Sequence, residues 1–249
     1  MDKFAYIAKH FVEQGFDVIG MDYKGFGHSG GARGFIGNRD HFYDDGYQFI
    51  VKARKFYEQL FPETALGFFT MGYSQGSALA LGIARRLKEA GDAPLAGQIY
   101  VVPNFRIQMD HWTEEFRAEL AANCTDPSKH ILFPAKPLKD FSFLMGYIAD
   151  ELQFKGPHYA VTLEIIKEVS DVDREYFKEI THPVYITLAD GDNILDNSEI
   201  KRFYDTIATP AHLKEIKGYD SDHYILSDGW LYEEVIADQI AWLNKLSTL

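Results

Sequence analysis

Gly72-Tyr73-Ser74-Gln75-Gly76 stands where the apolar run Ala65 to Met71 gives way to a helix-patterned segment, Ser77 to Ala90. A strand that turns sharply into a helix holds a serine away from the backbone, and glycine on either side lets the chain turn and lets a substrate approach. The pattern GxSxG alone recurs by chance. Its weight here comes from two later features: Asp192, just past the apolar run Val184 to Ala189, and His223 in Asp222-His223-Tyr224-Ile225-Leu226. Serine, acid and histidine in that order are the parts of a hydroxyl nucleophile activated by an imidazole that a carboxylate orients.

Outward from the serine, the chain alternates between strand and helix signals. Phe4, Ile7, Ala8, Phe11 and Val12 recur at helical spacing with Gly15 placed to end the helix, and Phe16 to Met21 reads as a buried strand. Gly25, Gly27, Gly30, Gly31, Gly34 and Gly37 make the next stretch a loop. Phe42, Phe49, Ile50, Ala53, Tyr57 and Leu60 restore a helical stripe that Pro62 closes. After the serine turn and its helix, Gly91 and the run Leu95 to Val102 complete a strand-helix-strand unit. Such alternation predicts an α/β fold with a mainly parallel sheet and helices on both faces. It stops from about Pro103 to Thr181, where helix-compatible segments rich in aromatics (Trp112, Phe116, Phe133, Phe141, Phe143, Tyr147, Phe154, Tyr159) read as an insertion. It resumes with strand Val184 to Ala189, helix Ile200 to Ile207, short strand Leu213 to Lys217 and helix Leu231 to Leu246. The expected division is therefore core 1–103, insertion 104–181 and core 182–249.

With 249 residues, 46% hydrophobic and 15% aromatic, the chain can bury one full core. Its 25 basic and 37 acidic residues give a net charge of −12, a field that opposes phosphate backbones, so no nucleic-acid partner is expected. The single cysteine, Cys124, allows no internal disulfide; it reads as a small buried hydrophobe, and a reducing cytoplasm is the default compartment. No apolar stretch reaches the roughly 20 residues of a transmembrane helix, and the N-terminus lacks the pattern of a secretory signal.

Asp22-Tyr23-Lys24-Gly25-Phe26-Gly27-His28-Ser29-Gly30-Gly31 resembles the DxRGxGxSxG loop of the α/β-hydrolase superfamily, within it the monoacylglycerol lipase and lysophospholipase-like branch of serine-aminopeptidase-type (S33) hydrolases. Gly72 to Gly76 resembles the nucleophile elbow, and Ala189 to Asp196 with Asp222 to Leu226 the acid and histidine loops. The resemblance implies an α/β-hydrolase fold with a helical cap. It implies Ser74 as nucleophile, His223 as base, Asp192 as the orienting acid, and the Gln75 backbone N–H as oxyanion donor. No cofactor and no metal are implied; the substrate would be a small acyl ester or lipid, with a peptide or amide substrate, or a non-catalytic protein of this fold that binds a small ligand or a partner, as the alternatives, and an aromatic cap is as compatible with peripheral membrane contact as with a closed lid. One departure stands out. The family's first three strands, and the second oxyanion donor that follows the third, have no counterpart here, so about 50 upstream residues are expected to complete the sheet.

Gly25-Phe26-Gly27-His28-Ser29-Gly30 also fits GxGxxG, but a dinucleotide fingerprint needs a helix to begin within the motif, and Gly34 and Gly37 keep the chain in loop. Asp190 competes with Asp192; the spacing Asp192 to Asp196 fits the family pattern better, leaving Asp196 as a loop or cap residue. Of His212 and His223, which flank the short strand, His223 falls where the histidine loop emerges. The other histidines, His10, His28, His41, His111, His130, His158 and His182, show no metal-binding spacing.

Overall fold

The apolar run before the serine becomes β1 (Phe69–Tyr73), and the segment after it becomes α3 (Gln75–Glu89). This is a computed structural model, which describes residues 4–106, 112–132, 150–152, 154–227 and 231–247. α1 spans Ala5–Glu13, α2 Arg39–Leu60, β2 Gly97–Val101 and α4 Glu114–Asn123. A two-residue antiparallel pair, β3 (His130–Ile131) with β4 (His158–Tyr159), precedes α5 (Ala160–Ser170) and α6 (Arg174–Phe177). β5 (Val184–Ala189), α7 (Asn197–Thr206), β6 (Lys214–Tyr219) and α8 (Leu231–Leu246) complete the order.

Contacts divide the chain into two compact units. The first comprises residues 1–38, 109–167 and 224–249; the second comprises 39–108 and 168–223. The second holds a four-stranded parallel sheet in the order β1-β2-β5-β6. β2 and β5 lie between neighbours and are buried along their whole length, as central parallel strands should be, whereas Met71 on edge strand β1 is exposed. Gln98 and Tyr100, two residues apart on β2, share one face. The Gln98 side-chain amide donates to Ala80 O of α3 at 2.9 Å, and Phe203 of α7 packs edge-on to Tyr100, so α3 and α7 cover that face. α2 lies against α3 closely enough that a methyl group on Gly82 would meet the Tyr43 ring at 2.2 Å.

In the first unit α1 packs against α8. Tyr6 donates to Leu226 O at 2.5 Å and meets Tyr232 edge-on. α1 ends in a Schellman arrangement: Phe16 N–H reaches Phe11 O, Gly15 N–H reaches Val12 O with Gly15 at φ 87°, and the rings of Phe11 and Phe16 touch. The glycine-rich loop is turn after turn, and no helix begins within it, the next being α2 at Arg39, so the helix that a dinucleotide site requires there is lacking. Buried Thr162 on α5 ties its end, accepting from Ile36 N–H at 2.7 Å, while Gly34 lies so close to the Phe154 ring that a Cβ would meet it at 2.7 Å.

Three expectations need correction. Phe16 to Met21 is not a buried strand: it joins no ladder among the described residues, and Val18 and Ile19 are exposed. A strand needs a neighbour to take its backbone hydrogen bonds, and no strand among the described residues supplies one. β1 begins at Phe69 rather than Ala65 and runs to Tyr73, because its ladder with β2 starts at the pair Phe69 and Gly97. Cys124 is half-buried rather than buried; it is the C-cap of α4, where the chain leaves the helix.

Part of the expected insertion has the predicted helical character. Thr113 caps α4 by accepting from Phe116 N–H, and Trp112 and Phe116 are both buried against each other, as packing residues are. Phe133, Phe141, Phe143, Tyr147 and His111 lie outside the described residues. No described helix is long and apolar enough to cross a membrane.

Candidate active site

Ser74 sits between β1 and α3 at φ 52°, ψ −118°, a region that L side chains avoid and that marks a strained turn. The glycines on either side do different work. A methyl at Gly72 would lie 2.4 Å from Gly76 O and 2.6 Å from the Ser77 Cα, so only glycine lets strand and helix approach here; a methyl at Gly76 would meet nothing within 4 Å. Buried Ser77 fastens the turn from below, donating to Gly72 O at 2.7 Å, while Ser74 N–H donates to Val101 O at 2.9 Å.

The three residues singled out in the sequence come together within the second unit. Ser74 Oγ lies 2.9 Å from His223 Nε2, and His223 Nδ1 lies 2.7 Å from Asp192 Oδ2. The Asp192 side chain is fully buried and that of His223 nearly so. With Asp192 ionised, Nδ1 carries the proton donated to it, which leaves Nε2 to accept from the serine hydroxyl. Asp192 Oδ1 accepts from Ile194 N–H at 2.8 Å and Leu195 N–H at 3.0 Å, which fixes the carboxylate plane. Gly191 N–H donates to Ser221 O, joining the loop after β5 to the loop after β6 that bears His223. Tyr73 holds the histidine from the other side: its hydroxyl donates to His223 O at 2.7 Å, and the two rings stack.

The rivals fall elsewhere. The Asp190 carboxylate lies beside Gly218, and His212 is exposed in the turn before β6. Asp196 is the N-cap of α7, accepting from Ser198 N–H at 3.0 Å, and the Ser198 hydroxyl bond with that backbone bond holds its carboxyl below the usual range. Among the described residues no group of three or more His, Cys, Asp or Glu side chains could hold a metal ion.

Gln75, the first residue of α3, places its backbone N–H outside the intrahelical ladder, at the positive end of the helix dipole. Its side chain meets two residues that the sequence reading did not single out: Oε1 accepts from Asn104 Nδ2 at 2.7 Å and from Ser170 Oγ at 3.0 Å. Tyr73, Asn104 and Ser170 carry no local signal, since only the fold brings them to the serine.

The family model for serine aminopeptidase, S33, matches residues 1–228. The chain belongs to this S33 family. Solved structures share its fold at low identity. The monoacylglycerol lipase of Paleococcus ferrophilus superposes with a TM-score of 0.74 at 16% identity, over 98% of this chain and 90% of that one. A soluble variant of the Saccharomyces cerevisiae monoglyceride lipase, bound to a substrate analogue, gives 0.74 at 18% identity over 90% of this chain and 76% of that one. An Exiguobacterium antarcticum esterase gives 0.65 at 17% identity, covering 98% and 87% respectively. No curated protein matches the chain in sequence. The S33 chain thus has the α/β-hydrolase fold, with a sheet in which no counterparts of the family's first three strands occur among the described residues.

Proposed function

We propose that this S33 protein is a serine hydrolase that cleaves carboxylic esters, of the monoacylglycerol or lysophospholipid kind, through an acyl-Ser74 intermediate. The observation that carries the reading is the continuous relay of 2.9 Å and 2.7 Å from a strained Ser74 through His223 to a buried Asp192. Ser74 Oγ attacks the ester carbonyl while its proton passes to His223 Nε2, and Asp192 stabilises the imidazolium so formed. The carbonyl π pair becomes an oxyanion facing the Gln75 N–H and the N-terminus of α3. When the tetrahedral centre collapses, the bond to the alcohol oxygen breaks and His223 returns the proton to it. Water then repeats the sequence against the acyl group, releasing the acid and the free serine. An acyl chain with a small alcohol head is the substrate class supported by the likeness in fold to lipases and an esterase.

Labelling by a fluorophosphonate probe tests this directly, with Ser74→Ala as control and circular dichroism on both proteins. The expected result is labelling that the substitution removes, followed by turnover of p-nitrophenyl esters that varies with acyl-chain length. A folded wild-type chain that neither takes the label nor turns over any ester overturns the reading. Turnover of aminoacyl anilides in place of esters would reassign it to peptide chemistry.

A further inference from the structure

Asn104 grips the serine turn at two points. Its backbone N–H donates to Ser74 O at 3.1 Å, an oxygen that also accepts from Ser77 N–H at 3.0 Å. The Ser74 carbonyl and the Gln75 N–H are opposite ends of one planar peptide unit. Whatever fixes the carbonyl therefore aims the N–H, and donors on the oxygen polarise the unit so that the N–H is itself a stronger donor. The second grip is through side chains: Asn104 Nδ2 donates to Gln75 Oε1 at 2.7 Å and to Ser170 Oγ at 2.9 Å, and Ser170 Oγ donates to Gln75 Oε1 at 3.0 Å. The triangle holds the Gln75 side chain while the backbone bond holds its peptide.

This arrangement is poor for stability taken alone. Gln75 Nε2 and Asn104 Oδ1 are buried with no hydrogen-bond partner among the described residues. Amide atoms so placed are uncommon in a folded interior. Two residues before Asn104, Val102 is fully buried at φ 39°, a left-handed conformation that a β-branched residue adopts only when its surroundings force it; its N–H is pinned to Thr187 O at 2.9 Å. Backbone strain and unpaired buried amide atoms converge on one short segment, and that segment ends on the peptide that would face an oxyanion.

We infer that Asn104 is a positioning residue that aims and polarises the Gln75 N–H toward the developing oxyanion, with Ser170 supporting it. It acts through Gln75 and touches no substrate. The inference rests on the serine-hydrolase reading, and the experiment separates the two.

The full chain and its Asn104→Ala and Ser170→Ala variants are compared in three measurements, after melting curves establish that each is folded. These are kcat and KM on a p-nitrophenyl ester, inhibition by a trifluoromethyl ketone of matching chain length, and inhibition by an alkyl ether of that length. The ketone carbon takes the bond from Ser74 Oγ, its carbonyl oxygen becomes an oxyanion and the serine proton passes to His223; the ether forms no oxyanion. Asn104→Ala keeps the backbone bond to Ser74 O and removes only the side-chain grip on Gln75, so it is expected to lower kcat about tenfold, well short of the loss of a whole oxyanion donor, with KM unchanged. The ketone should weaken by the same factor and the ether not at all. Ser170→Ala leaves the Asn104–Gln75 bond in place and should show a smaller loss with the same split; it decides the matter if Asn104→Ala does not fold. Wild-type kcat and ketone affinity in a folded Asn104→Ala, or a loss confined to KM, overturns this inference and leaves the hydrolase reading intact. A wild-type chain without ester turnover or adduct formation overturns both.

Discussion

Asp192 Oδ2 lies 2.7 Å from His223 Nδ1, while the other oxygen of the same carboxylate accepts two backbone N–H groups, from Ile194 and Leu195. One oxygen orients the imidazole and the other holds the loop, so the two duties can be separated by substitution. Asp192→Asn keeps an oxygen for the loop and offers the wrong partner to Nδ1; it is expected to lower ester turnover by roughly a thousand- to ten-thousandfold with little change in melting temperature. Asp192→Ala removes both and should also lower the melting temperature, since two part-buried N–H groups lose their acceptor, at about 1 kcal/mol. Steady-state kinetics beside thermal melts of the two variants check the separation.

Strain at Ser74 sets stability against activity. Glycine adopts φ 52° freely, whereas alanine carries the same Cβ as serine. Ser74→Gly should therefore be more stable than wild type by about 1 kcal/mol, and Ser74→Ala close to wild type, with neither taking a fluorophosphonate label. Equal melting temperatures for the two variants would contradict the strain argument.

The two glycines of the turn should respond in opposite ways. Gly72→Ala drives a methyl into the Gly76 carbonyl and the Ser77 backbone and is expected to yield little folded protein. Gly76→Ala lies in the first turn of α3 with open space around it, so it should fold and gain up to about 1 kcal/mol from helix propensity. With no side chain within 4 Å of that methyl, Ser74 Oγ included, ester kcat/KM should stay close to the wild-type value.

His182 predicts how stability depends on pH. Its Nε2 lies 2.6 Å from Gln98 Oε1, which also accepts from Tyr100, and the Gln98 amide ties Thr70 of β1 and Ala80 of α3 into the same buried cluster. Burial pushes the His182 pKa down to about 4, against an ordinary value of 6.5. The unfolded chain binds a proton that the folded one refuses, so this contribution is complete above pH 6.5 and is lost as pH falls from there toward 4. The difference is on the order of 2 kcal/mol, with partial exposure taken into account. His182→Gln retains a donor for Gln98 and removes the titration. Urea unfolding at pH 7.5 and pH 5 should show a smaller drop for the variant than for wild type, and equal drops would refute the assignment.

What was legible in the sequence follows a physical division. β5 and α8 stand at the boundaries read from the residues, Val184–Ala189 and Leu231–Leu246, because an unbroken apolar run and a continuous 3.6-residue stripe are local signals. Gly15 and Gly91, both left-handed, end their helices as their positions implied. Ser74, Asp192 and His223 were legible through their motif, and the fold brings them within hydrogen-bonding distance. Phe16 to Met21 misled because an apolar run states only that a segment suits a sheet; pairing is decided by whatever lies beside it. Asn104 and Ser170 were invisible for a related reason. Their partner is Gln75, and residues 75, 104 and 170 share no period, so their meeting is a property of the folded chain alone.

Ser74, Gln75, Asn104, Asp192 and His223 all belong to the unit formed by residues 39–108 and 168–223. The interval between those stretches, 109–167, contributes none of them. α5 begins in that interval and closes at Ser170, inside the unit that holds the serine. The helix that closes the interval is thus the one that brings a hydroxyl to the residue beside the serine.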